Sequence, residues 1–173
     1  FFKKKLTHLS VVKLLADYFN KRKIKNLAVA SPDSGGTIRA KLFAKELGIN
    51  KIITVKKYRP SFDKAKVSKI SGEVKEKNII IIDDMIQSGD TVIKAAKALK
   101  KKGAKDIYVA VAHLVFSGPS VSRLAKEKAI KHVIITDTIP SKITLPAKFK
   151  QLSVVDLISN EIIGKVKGNL HEK

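Results

Sequence analysis

The order of apolar runs in this sequence predicts an α/β protein: a doubly wound, mostly parallel sheet with helices on both faces. Three observations carry that expectation. Short apolar or β-branched runs alternate with segments whose apolar residues fall three and four apart, so that strand and amphipathic helix follow one another. Two of the runs, Asn78 to Ile82 and Ile107 to Ala112, contain no polar alternation, as expected of strands covered on both faces. The balance of residues is globular, with 44% hydrophobic and 29% charged in a chain of 173, enough for one domain or two small ones.

Leu9, Val12, Leu15, Ala16 and Phe19 mark a first amphipathic helix, with Ser10 as its cap. Leu27 to Ala30 reads as a strand that ends in the turn Ser31-Pro32-Asp33-Ser34-Gly35-Gly36. Helical spacing resumes at Ile38, Leu42, Phe43 and Leu47, and Gly48 stops it. Lys51 to Val55 is the next strand, followed by a basic loop around Pro60 that holds Lys56, Lys57, Arg59, Lys64 and Lys66. Val67 to Ile70 is a small strand, and Asn78 to Ile82 a buried one ending at Asp83-Asp84. A loop from Met85 to Asp90 opens a helix over Thr91 to Lys102, closed by Gly103. Strand Ile107 to Ala112, helix Pro119 to Lys128 and strand Val133 to Ile135 continue the alternation. Leu152 to Val155 and a helix from Asp156 to about Val166 complete it.

Thirty-six Lys and Arg against 15 Asp and Glu give a net charge of +21, which suits a polyanion or a phosphorylated small molecule. Charge alone points to nucleic acid, but 6% aromatic residues and no recognised helix or finger motif set that reading aside. Zero cysteines exclude disulfides, thiolate metal sites and cysteine nucleophiles. No apolar run approaches the roughly 20 residues that span a bilayer, so the expectation is a cytoplasmic protein with no membrane partner. The sequence opens on Phe1-Phe2 rather than Met, as an excerpt of a longer chain would.

The acids are placed unlike the bases. Asp33, Asp83, Asp84, Asp90 and Asp137 all fall just past predicted strands, at the end of a doubly wound sheet where ligands bind. Carboxylates gathered there suit recognition of hydroxyls or of a divalent cation, because magnesium takes hard oxygens together with substrate phosphates. Gln87-Ser88-Gly89-Asp90-Thr91 is a small-residue loop between strand and helix, where backbone N–H groups, the helix dipole and two hydroxyls can meet a phosphate. The adjacent Asp83-Asp84 pair could accept hydrogen bonds from ribose hydroxyls.

That string resembles the phosphoribosyl diphosphate (PRPP) binding loop shared by phosphoribosyltransferases and ribose-phosphate diphosphokinases. Ser31 to Gly36, Lys57-Tyr58-Arg59, Gly72, Ala112 to Gly118 and Thr136 to Pro140 are similar, in order and spacing, to segments of the second half of the diphosphokinase (PRPP synthase) family. The resemblance implies a phosphoribosyltransferase-like fold, with residues 1–24 as an inter-domain crossover helix segment and 25–173 as the ribose 5-phosphate domain. The ATP half of the family is absent from the sequence. The activity implied is transfer of a diphosphoryl group from ATP to the C1 hydroxyl of ribose 5-phosphate, giving PRPP and AMP, in a homo-oligomer. On this resemblance Gln87, Ser88, Gly89, Asp90 and Thr91 hold the 5-phosphate, and Asp83 and Asp84 contact the ribose. Asp33, Gly35 and Gly36 handle the diphosphate, Asp33 also serving Mg2+, and Lys57 and Arg59 are the catalytic pair. Two departures stand out. The family's loop more often reads Asp-Thr-x-Gly-Thr, so Asp90 puts a side chain and a charge in place of glycine. The ending Gly168 to Lys173 also differs from the family's. A non-catalytic homologue with a drifted site is the rival expectation.

Overall fold

The computed structural model describes residues 6–58, 67–115, 119–141 and 143–171. Among these residues seven strands form one sheet: β1 (Leu27–Ser31), β2 (Ile52–Tyr58), β3 (Val67–Ser71), β4 (Asn78–Ile86), β5 (Ile107–Leu114), β6 (His132–Thr136) and β7 (Phe149–Leu152). Five helices accompany them: α1 (Val12–Asn20), α2 (Thr37–Glu46), α3 (Asp90–Lys101), α4 (Ser120–Lys126) and α5 (Val155–His171). The spatial order is β3-β2-β1-β4-β5-β6-β7, and every neighbouring pair is parallel except the edge hairpin of β2 with β3. The first crossover runs from β1 outward to β2. The chain then returns across β1 to place β4 on its other side, so the direction of winding reverses between β1 and β4.

Alternate residues of the central strands feed two cores, one on each face. Ala28, Ala30, Ile79, Ile81, Val109 and Val111 pack with α3 and α4 through Val92, Ala96, Leu99 and Leu124. Val29, Ile80, Ile82 and Ala110 pack with α1 and α2 through Leu15, Phe19, Ala40 and Phe43. Ile79 to Ile82 are all at most 1% exposed, and burial of each is worth roughly 2 kcal/mol. Ser10 is not the cap of α1: Val11 holds that position without a side-chain cap hydrogen bond, and Ser10, one residue earlier, accepts the Val12 N–H at 3.3 Å.

Three strands depart most from expectation. The strand expected to stop at Ile82 runs on through Asp83 and Asp84 to Ile86, because Ile86, 2% exposed, re-enters the core beside Leu114 of β5. The acid pair therefore lies on a strand rather than beyond it, and the loop before α3 shortens to Gln87, Ser88 and Gly89. The last strand is Phe149–Leu152 and not Leu152 to Val155: Phe149 is buried and pairs with Val133, and Val154 already belongs to the turn into α5. The strand expected to end at Val55 also continues to Tyr58, so Lys56 and Lys57 stand in the β2–β3 hairpin.

Candidate functional site

The reversal between β1 and β4 opens a crevice at the carboxyl ends of both strands, the place where ligands bind in open α/β sheets. A cleft of about 500 Å³ lies there, lined by Asp33, Gly35, Gly36, Asp83, Asp84 and Gln87 to Thr91 among others. Ten of the residues singled out from sequence thus meet in one place. Asp137 does not line it; its Oδ1 accepts the Val154 N–H at 2.8 Å and ties down the turn before α5. Arg59 lies outside the described residues, and of Lys57 only the backbone is described, paired with Ser68 across the hairpin.

One lip of the cleft is the β1–α2 turn. Asp33 Oδ1 accepts the Gly36 N–H at 3.1 Å, and Ser31 Oγ donates to the Asp33 carbonyl at 2.6 Å. A Cβ on Gly36 would stand 2.8 Å from Ser31 Oγ, so a side chain there would force the Ser31 hydroxyl to shift. Asp33 therefore does cap the following turn, and still presents carboxylate to the cleft. The other lip is the short loop before α3, where Gly89 has φ 81° and is buried. The N-termini of α2 and α3 both open on the cleft and give it a positive backbone potential.

The wall between the lips is the acid pair. Pairing of β1 with β4 ends at Ala30 with Ile81. Beyond it, the Asp84 N–H donates to Asp83 Oδ1 at 2.9 Å and the Met85 N–H to Asp84 Oδ1 at 2.8 Å. Arg39, on α2, clamps both: Nη1 to Asp83 Oδ1 at 3.0 Å and Nη2 to Asp84 Oδ2 at 2.6 Å. Burial pushes the Asp83 carboxyl up to about 6; the neighbouring Asp84 charge adds to that, and Arg39 opposes it. Burial also raises Asp84, but the Met85 N–H and Arg39 outweigh it and hold it below the usual carboxylate range. At the second lip, Asp90 is held low by hydrogen bonds from Arg123 and Ser88.

Arg39 and Arg123 are the site residues that the sequence reading missed. Their partners lie 44, 45 and 33 residues away, a separation with no local signal. Asp33 fits a magnesium site of the kind in which one carboxylate is completed by substrate phosphates. Among the described residues no group of three or more His, Cys, Asp or Glu could hold a metal unaided. Beside the cleft, and sharing Arg39, Asp83 and Asp84 with it, runs an apolar groove of about 540 Å³ between α2 and α5. In its wall, at the end of β5, His113 Nδ1 lies 2.7 Å from Thr138 Oγ1. No helix among the described residues is long and apolar enough to cross a membrane.

The model of the phosphoribosyl synthetase-associated domain matches residues 43–169. Ribose-phosphate pyrophosphokinase of Campylobacter jejuni is 40% identical over 153 residues, 88% of this chain and 48% of the enzyme. That of Ralstonia nicotianae is 39% identical over 158 residues, 90% of this chain and 49% of the enzyme. The crystal structure of phosphoribosylpyrophosphate synthetase from Mycobacterium smegmatis superposes with a TM-score of 0.87 at 31% identity, over 96% of this chain and 54% of that one. An adenine phosphoribosyltransferase from Giardia lamblia, at 15% identity and a TM-score of 0.57, shares the fold. This chain spans about half the length of the curated relatives it matches.

Proposed function

Because the chain belongs to the ribose-phosphate pyrophosphokinase family, we propose that it is the ribose 5-phosphate half of an enzyme that makes PRPP and AMP from ribose 5-phosphate and ATP. The observation that supports this best is the meeting of the β1–α2 turn, the acid pair and the β4–α3 loop around one cleft. In this reading Gln87 to Thr91 and the α3 N-terminus take the 5-phosphate. Asp83 and Asp84 accept hydrogen bonds from the ribose hydroxyls, which replace part of the Arg39 clamp. Gly35 and Gly36 let backbone approach the diphosphate, and Asp33 with the phosphates of ATP would hold Mg2+, which offsets their charge when bound. The ribose C1 oxygen attacks the β-phosphorus, the bond to the α-phosphate oxygen breaks, AMP leaves and the hydroxyl proton is released. Lys57 and Arg59 would meet the charge that builds on the phosphoryl oxygens.

Residues 1–24 would link this half to an ATP-binding half, and the assembly would be a cytoplasmic homo-oligomer. Exposed Ile38 and Leu42 on α2 and Ile158 and Ile162 on α5 favour such packing. The charged Asp90 favours a second reading, a non-catalytic homologue of the same family. One assay separates them: AMP release by the full-length protein from ATP, ribose 5-phosphate and Mg2+. Release that falls at least about 100-fold in Lys57→Ala supports the enzyme. No release by the wild type, with Asp90→Gly restoring it, supports the drifted homologue.

A further inference from the structure

Asp90 places a negative charge on the loop assigned above to a phosphate dianion, and like charges at that range oppose binding. The fold sets Arg123 in contact with it, beside the weaker pull of Lys94. Arg123, on α4, donates through Nη1 to the Ser88 carbonyl at 3.2 Å and through Nη2 to Asp90 Oδ1. Ser88 Oγ donates to Asp90 Oδ2 at 3.1 Å, so both carboxylate oxygens are engaged.

The arginine reaches the loop from a fixed direction. α4 packs under it closely enough that a Cβ on Gly89 would stand 3.4 Å from Leu124 Cγ. At the far end of α4, Lys148 Nζ donates to the carbonyls of Leu124 at 3.2 Å and Glu127 at 2.8 Å, anchoring the helix. Ser88 and Asp90 line the cleft, and Arg123 does not.

We propose that Arg123 is a positioning residue that neutralises Asp90 and holds its carboxylate toward α4, so that a sugar phosphate can enter a cradle that would otherwise repel it. The inference rests on the ribose 5-phosphate reading of the loop. Arg123 acts on the phosphate through Asp90 and makes no contact with the phosphate itself. The geometry gives the loop a local charge near zero at Asp90, leaving the N–H groups at the start of α3 to set the potential that a phosphate meets.

The test is a double-mutant cycle read by calorimetry with ribose 5-phosphate, and with inorganic phosphate as a second probe, on wild type, Arg123→Gln, Asp90→Asn and the double variant. Arg123→Gln should weaken binding about tenfold at low salt and less at high salt, where exposed charges are screened. Asp90→Asn, which removes the charge that opposes the dianion, should bind more tightly than wild type, and the double variant should match Asp90→Asn. A double variant that loses the same factor relative to Asp90→Asn would show that Arg123 touches the phosphate, and would overturn the proposal. Wild-type affinity in Arg123→Gln would overturn it as well. If wild type bound no ribose 5-phosphate, the loop reading itself would fall. The Asp90 carboxyl, followed by carbon NMR, then decides whether the pair exists: its midpoint rises in Arg123→Gln if it does, and an unchanged midpoint removes the inference too.

Discussion

Arg39 and Arg123 grip aspartates on the same cleft with opposite consequences. The Asp83 side chain keeps 17% of its exposure and that of Asp90 keeps 48%. Asp83 is nevertheless driven up to about 6, since desolvation outweighs the guanidinium at 3.0 Å, whereas Asp90, in water, is held low by its arginine. The difference teaches that an ion pair does not by itself decide what a carboxylate does. Withdrawal from water raises the Asp83 carboxyl despite its cation, and exposure lets Arg123 hold Asp90 low.

The comparison can be broken most sharply at the wall. On the proposed reading, Asp83→Asn should lower AMP formation by the full-length protein about 100-fold, since it removes the proposed ribose contact and the charge that orients Arg39. Asp90→Asn should leave it within a few-fold. Arg39→Ala comes next: it leaves two carboxylates without their cation, one of them mostly buried, and should cost about 1–2 kcal/mol in urea unfolding. Arg123→Gln, at an exposed pair, should leave the same measurement close to wild type. Equal costs at the two arginines would remove burial as the cause of the difference.

The same contrast carries over to pH. Folded Asp83 titrates near 6 against an ordinary 3.8, so the folded state holds the proton more tightly than the unfolded one. Its contribution to stability is full below 3.8 and is lost as the pH climbs through about 6. Unfolding curves of Asp83→Asn should lack that decline between about pH 4 and 6, and a variant at Asp90 should not alter it.

How far the sequence reached follows the same physics. Ile79 to Ile82 announce a buried central strand because an apolar run without alternation has few other uses. Asp33, the acid pair and Gln87 to Thr91 are legible as site residues because chemistry clusters at strand ends. The continuation of β4 to Ile86 is hidden, since two aspartates read as the end of a strand and only the packing of Ile86 beside Leu114 overrules them. β7 is misplaced for a related reason: its central Lys150 and Gln151 are exposed at a sheet edge, and the more apolar Leu152 to Val155 attracts the assignment. Arg39 and Arg123 are invisible in a chain with 36 bases, because what distinguishes them is a partner across the fold.

The length of β4 also sets a timescale. Carried within a nine-residue strand and laddered to β5 as far as Ile86, the acid pair moves only when the sheet moves. Amides of that segment laddered to β5 should exchange hydrogen on the timescale of large openings, and those of Asp84 and Met85, which donate to the pair's own carboxylates, and of residues 34–36 and 87–89 by local fluctuation. An incoming ligand therefore meets one stiff wall and two softer lips, and whatever delay attends closure of the cleft belongs to the lips.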